Sequence, residues 1–204
     1  MMTSRPHYLM LSRYIDGANL VTGVNLLIGA LALMLLQQGV FLPVIGLIFL
    51  AILLDHLDGW LARRFYSHST HKRAFGKQFD TLADLFNFNG VSGLLLFFQQ
   101  PNHPWLAGVV AASLILFGAI RLAHFTLDTG EEEGLQTPYV AFVIINLILL
   151  NQAGLLSDGL LLGLAALTSV LQIICVRIPV LDTAKGLTLM ATLLGVNFWF
   201  TAPI

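Results

Sequence analysis

The chain is poor in cysteine and in charge: it has one cysteine, Cys175, and only 10% of its 204 residues are charged, against about 25% in soluble domains. A lone thiol in an apolar run excludes a disulfide framework and a thiolate metal cluster. So few charges exclude an ordinary water-soluble domain. The formal net charge of -1 says nothing about partners, since the placement of charges matters more than their sum; no nucleic-acid partner is expected. Low-complexity segments and internal repeats of the kind found in inverted-repeat transporters are also missing. What fills the chain is apolar residues, 57% of the total, with a mean hydropathy of +0.83.

Apolar stretches run over 17–37, 40–64, 77–99, 104–126, 136–153, 157–177 and 182–201, each near the length of about 20 residues that crosses a bilayer. They predict an all-α, polytopic transmembrane bundle of about seven helices, within a range of six to eight, forming one domain over 1–204. Arg5 and Arg13 precede the first run much as in a signal peptide, but no small-residue cleavage site follows, so a retained first helix is expected. With seven crossings, all ten Lys and Arg fall on the side of the N-terminus and of segments 64–77, 126–136 and 177–182. The positive-inside rule then makes the N-terminal segment 1–16 cytoplasmic. Trp60, Trp105 and Trp199 read as interfacial or packing aromatics. Asp158 reads as the cap of the sixth helix, and the pair Gly159 and Gly163 as a helix-packing element that would also suit a dimer face.

The informative residues are carboxylates inside apolar helices: Asp55 and Asp58 in the second, Asp80 and Asp84 in the third. An ionised Asp in mid-helix costs about 2.5–3.5 kcal/mol on insertion scales, so four of them need compensation. At 100° per residue each pair lies on one stripe of its helix, and Gly76, Asp80 and Asp84 follow one another at i, i+4, i+8. Both pairs are expected roughly 12–14 Å deep from the cytoplasmic end, facing each other. Four converging carboxylates in a low dielectric repel unless cations neutralise them. An all-oxygen set suits Mg²⁺ or Mn²⁺ rather than zinc or copper, and two divalent ions would balance the charge. Such a pair polarises phosphate oxygens, as in phosphoryl transfer. Gly59, Ala62 and Gly76 leave room for a substrate or a second helix, and Arg63 supplies a fixed cation one turn away for a diphosphate.

The pattern Asp55-x-x-Asp58-Gly59-x-x-Ala62-Arg63, followed by Gly76-x-x-x-Asp80-x-x-x-Asp84, resembles the signature of CDP-alcohol phosphatidyltransferases at eight positions. The twelve residues between Arg63 and Gly76 are more than the family usually has, and they fall in an expected polar loop, 64–75. The resemblance implies metal-binding by Asp55, Asp58, Asp80 and Asp84, with Asp84 also the general base. It implies contacts to the CDP-lipid from Gly59, Ala62, Arg63 and Gly76, with Ser69 or Thr70 as further candidates. It also implies a homodimer in a bacterial or archaeal-type cell membrane, with the site on the cytoplasmic side.

Phe75–Asp84, Ile120–Phe125, Gly134–Pro138 and Val176–Pro179 are further similar to phosphatidylserine synthases, which implies CDP-diacylglycerol as donor and serine as acceptor. His124, Gln136 and the run Asn87-Phe88-Asn89-Gly90 depart from that pattern, leaving glycerol 3-phosphate, inositol phosphate or another polyol as alternatives. Arg121 in the fourth helix is a candidate for the acceptor's carboxylate or the lipid phosphate, or an anchor snorkelling to headgroups. His68 and His71 are a minor metal-ligand option, and Lys72, Arg73 and Lys77 read as a surface for anionic lipid. A divalent-cation transporter is the rival class, because buried acids also mark ion paths.

Overall fold

The computed structural model describes residues 16–65, 70–127 and 134–174. Within them the backbone is helical: α1 (Gly17–Gln37), α2 (Phe41–Phe65), α3 (Thr70–Asp84), a π-helical segment (Leu85–Val91), α4 (Ser92–Phe98), α5 (Pro104–Thr126), α6 (Thr137–Gln152) and α7 (Asp158–Leu171). Local chemistry sets several of these ends. Asp16 accepts the N–H of Asn19 at 3.0 Å and so starts α1, satisfying a donor that the helix itself leaves open. Pro104 and Pro138 sit in the first turns of α5 and α6, where a missing N–H does no harm.

The inward faces are graded along their length. On α1 the buried residues run Asn19, Thr22 and Asn25, then Gly29, Ala32 and Leu36. Antiparallel α2, its most extensive neighbour, buries Val44, Ile45, Ile48, Ala51 and Ile52 before Asp58. Both stripes have the three-and-four spacing of an α-helix face, with polar residues gathered at one end and aliphatic ones at the other. The outward faces carry large apolar residues, among them Leu27, Leu42, Val109 and Leu116, as lipid-facing helices do.

The helix α6 is different, for nine of its sixteen residues are buried, over all of its circumference but the half-exposed stripe of Tyr139, Val143, Asn146 and Leu150. It is the enclosed rod of the bundle, with Ile144, Ile145 and Ile148 in a core shared with Ile48, Ile52, Phe88, Leu95, Leu114 and Leu161.

Among the described residues, four helical stretches are long and apolar enough to cross a membrane: Gly17–Gln37, Phe41–Ala62, Lys72–Phe98 and Pro104–Thr126. The expected count of about seven is not confirmed by these four. The fifth and sixth expected spans form α6 and α7, of 16 and 14 residues, or about 24 and 21 Å at 1.5 Å per residue, less than the hydrocarbon thickness of about 30 Å. Residues 182–201 lie outside the described residues, as do Cys175 and Trp199.

The end of α7 shows why that helix stops early. Leu135 N–H reaches back to Leu171 O at 2.9 Å, taking a carbonyl that another turn would have used. Gly134 permits this approach. Its φ is +76°, and a side chain there would run into the backbone of Gln172, so only glycine fits. Asp158 is not the cap expected of it. Ser157 holds that position, accepting from Leu160 N–H, while Asp158 accepts from Asn151 at 2.9 Å and ties the 153–157 turn to α6.

The expected loop 64–75 is also corrected, since α2 continues to Phe65 and α3 begins at Thr70. Hydropathy finds only the apolar part of a helix, and Thr70–Phe75 is polar. Most of the extra residues before Gly76 are therefore helix, about 9 Å of it.

Candidate active site

The two carboxylate stripes meet where α2 and α3 run beside α1 and the start of α6. Ligand oxygens of Asp55, Asp80 and Asp84 all lie within 4.8 Å of one another. Asp55 stands close enough to Asp80 and Asp84, and Asp58 to Asp80, for their charges to repel. Asp58 is buried and turned toward α1, where its Oδ2 accepts the hydroxyl of Thr22 at 2.6 Å. Asp84 Oδ2 accepts the hydroxyl of Thr137 at 3.1 Å. Asp80 Oδ1 and Asp84 Oδ1 are shut off from solvent with no hydrogen-bond partner.

That donor set fits a hard divalent cation. It consists of oxygens alone, and carboxylates this close are repulsive without a cation between them. Buried acceptors without a donor are expensive in an apolar setting, and metal coordination is one way of satisfying them.

Each remaining sequence candidate has a definite location. Gly76 lies in α3 against α1, where a β-carbon would come within 2.5 Å of Asn19 Oδ1. The neighbour that demands its small size is thus a second helix. Gly59 is half-buried and Ala62 exposed on α2. Ser69, His68 and the side chains of Arg63, Thr70 and His71 lie outside the described residues. Arg121 is only 9% exposed, which removes the lipid-surface anchor reading. Lys77 sits over the Phe125 ring at 5.0 Å, a cation–π contact between α3 and α5. Gly159 and Gly163 have open space where a β-carbon would stand, so no helix of the described chain packs on them.

Sequence reasoning passed over three neighbours of the acids. Thr22 and Thr137 are ordinary residues in their own helices, and only the folding of α1 and α6 against α2 and α3 brings them to Asp58 and Asp84. His56 is half-buried beside Asp55, its Nδ1 3.7 Å from Asp55 Oδ2 and 2.8 Å from Ile52 O. A histidine in an apolar helix was the signal available for it.

An all-helical bundle with membrane-length helices and an acidic centre enclosed between them defines an integral membrane protein with a carboxylate site. The chain belongs to the CDP-alcohol phosphatidyltransferase family, which matches residues 16–174; divalent metals are used across that family. It is 30% identical over 171 residues to the CDP-diacylglycerol–serine O-phosphatidyltransferase of Helicobacter pylori, covering 79% of this chain and 70% of the relative. It is 28% identical over 175 residues to the archaetidylserine synthase of Methanothermobacter thermautotrophicus, covering 84% and 73%. A CDP-diacylglycerol–serine O-phosphatidyltransferase of Methanocaldococcus jannaschii is 29% identical over 153 residues, covering 74% and 70%.

Proposed function

We propose that this chain transfers the phosphatidyl group of CDP-diacylglycerol to the hydroxyl of L-serine and releases CMP. The observation that carries the reading is the cluster of Asp55, Asp80 and Asp84 within a chain of the CDP-alcohol phosphatidyltransferase family. Asp55, Asp80 and Asp84 would hold divalent metal, Mg²⁺ or Mn²⁺, and Asp58, bonded to Thr22, would be the fourth carboxylate of a two-ion site. When bound, the metal polarises the diphosphate and stabilises the departing CMP phosphate. Gly59, Ala62, Arg63 and Gly76, with Ser69, line the CDP part of the donor.

In the reaction Asp84 accepts the proton of the serine hydroxyl. The hydroxyl oxygen bonds to the phosphorus that carries the lipid, and the bond from that phosphorus to the oxygen bridging to CMP breaks. A carboxylate is a weak base at neutral pH, so its contribution rests on position. Arg121, a buried cation on α5, receives the serine carboxylate or the lipid phosphate.

Serine is favoured over other alcohols by the names of the relatives, which share serine while their lipid parts differ. The Asn87–Gly90 departure does not weigh against it. Asn87 is engaged by Asn25 on α1, and Asn89 by Leu114 O and Gln172, so both serve helix packing. A cation transporter finds no support in the family or the relatives. We place the N-terminus and the site on the cytoplasmic side of a bacterial or archaeal-type cell membrane, because the Lys and Arg of 1–16, of 63–77 and of the end of α5 fall on one side of the four crossings. A homodimer would use surfaces such as the open Gly159 and Gly163 face.

The test is purified protein with CDP-diacylglycerol, Mn²⁺ or Mg²⁺, and separate additions of serine, glycerol 3-phosphate and inositol phosphate. Phosphatidylserine is expected with serine alone, with activity lost on chelation and restored by either metal. A different lipid product would overturn the acceptor, and turnover indifferent to chelator would overturn the metal centre.

A further inference from the structure

We infer that Thr137 is a positioning residue for Asp84, holding one carboxylate oxygen so that the other faces the reaction. This inference rests on the role of Asp84 proposed above. Thr137 is fully buried and is the first residue of α6, and its hydroxyl donates to Asp84 Oδ2 at 3.1 Å.

A threonine inside a helix commonly gives its single proton to the carbonyl four residues earlier. Thr81 does so with Lys77 O at 2.7 Å, and Thr168 with Leu164 O at 2.8 Å. At the first position of α6 no carbonyl of the same helix lies four residues back, so that local acceptor does not exist. The proton of Thr137 is directed to the carboxylate of another helix instead.

The geometry has two consequences. A carboxylate can rotate about its terminal torsion, and a donor fixed to Oδ2 opposes that rotation. Asp84 Oδ1, buried and without a hydrogen bond, is then the oxygen left for metal or for the acceptor's proton. The donor is also anchored firmly, because the start of α6 is buried at Thr137, Pro138, Val140 and Ala141. Hydrogen-bond partners of metal-binding carboxylates play this orienting part elsewhere, and their loss costs about 10–100-fold in metal affinity or activity.

The experiment compares wild type with Thr137→Val, which keeps the shape and removes the hydroxyl, and with Thr137→Ser, which keeps the hydroxyl. Measured for each are kcat, the KM for CDP-diacylglycerol, the Mn²⁺ concentration giving half-maximal rate, and the unfolding temperature in detergent. For Thr137→Val the expectation is a fall in kcat or a rise in the half-saturating Mn²⁺ of about 10–100-fold, with KM for the lipid little changed and the unfolding temperature lowered only as far as the loss of one buried hydrogen bond requires. Thr137→Ser should recover to within a few-fold of wild type. Full kcat and an unchanged Mn²⁺ response in Thr137→Val would overturn the inference. So would equal damage in both variants, which would assign Thr137 a packing role through its methyl group. Asp84→Asn, assayed alongside, separates the two readings: if it keeps wild-type turnover, the role of Asp84 fails; if it is inactive while Thr137→Val is normal, only the positioning role fails.

Discussion

Asp84→Asn is expected to reduce CMP release from CDP-diacylglycerol by about 10³-fold or more while the protein still folds and binds detergent as wild type does. The substitution is nearly isosteric and removes both the negative charge and the basic oxygen. It leaves an acceptor for the Thr137 hydroxyl, so the packing between α3 and α6 is retained. Relief of repulsion from Asp55 and Asp80 should, if anything, raise the unfolding temperature of the metal-free protein. A loss of activity accompanied by unfolding would therefore point away from chemistry, and wild-type turnover would remove Asp84 from the mechanism. Radiolabelled CMP release, read against a thermal melt in the same detergent, distinguishes these results.

Gly118→Ala is the second large effect, and it acts on the fold. Gly118 on α5 faces Asn89 of the π-helical segment, where an added β-carbon would overlap the Asn89 amide at Nδ2, Cγ and Oδ1 alike. Asn89 cannot swing aside cheaply, because its Nδ2 donates to Leu114 O and Gln172 Oε1, both at 2.8 Å, and it is wholly buried. Overpacking of this kind costs about 1–3 kcal/mol, and the lost hydrogen bonds add to it. The expected result is a clearly lowered unfolding temperature. Activity should fall too, since Asn89 lies little more than one turn beyond Asp84 on the same continuous helix. Gly118→Ala combined with Asn89→Ala should regain part of the stability by clearing the clash. If Gly118→Ala melts with wild type, the close approach of α5 to the π-helical segment is wrong.

Most of the helix positions were legible in the sequence because a bilayer imposes a simple rule on them. The apolar runs at 17–37 and 104–126 coincide with α1 and α5, and Asp55, Asp80 and Asp84 are brought together on helices read from their spacing. What was not legible came from tertiary contacts or from polar helix. Thr70–Phe75 is helical without being apolar, so hydropathy took it for loop. The π-helical segment has no signature in composition; it becomes explicable once Asn87 and Asn89, two residues apart, are seen bonded to α1 and α5 on different sides. In a regular α-helix such residues point about 200° apart, and this segment is central enough for both directions to be buried. Thr22 carries no local mark and Thr137 only its place in the Gly134–Pro138 segment, because their contacts with the acids are given entirely by what folds against them.

The enclosure of α6 bears on how the protein meets membranes of differing thickness. Mismatch between a bilayer and a spanning segment is relieved by tilting or by local stretching of the lipid, and it acts on the surfaces that lipid touches. Here those surfaces belong largely to α1, α2 and α5, whereas the rod that begins beside Asp84 packs against α7, the π-helical segment, α4 and α2. Adjustments to acyl-chain length can be absorbed by the outer helices while the end of the rod keeps its place against the acidic centre.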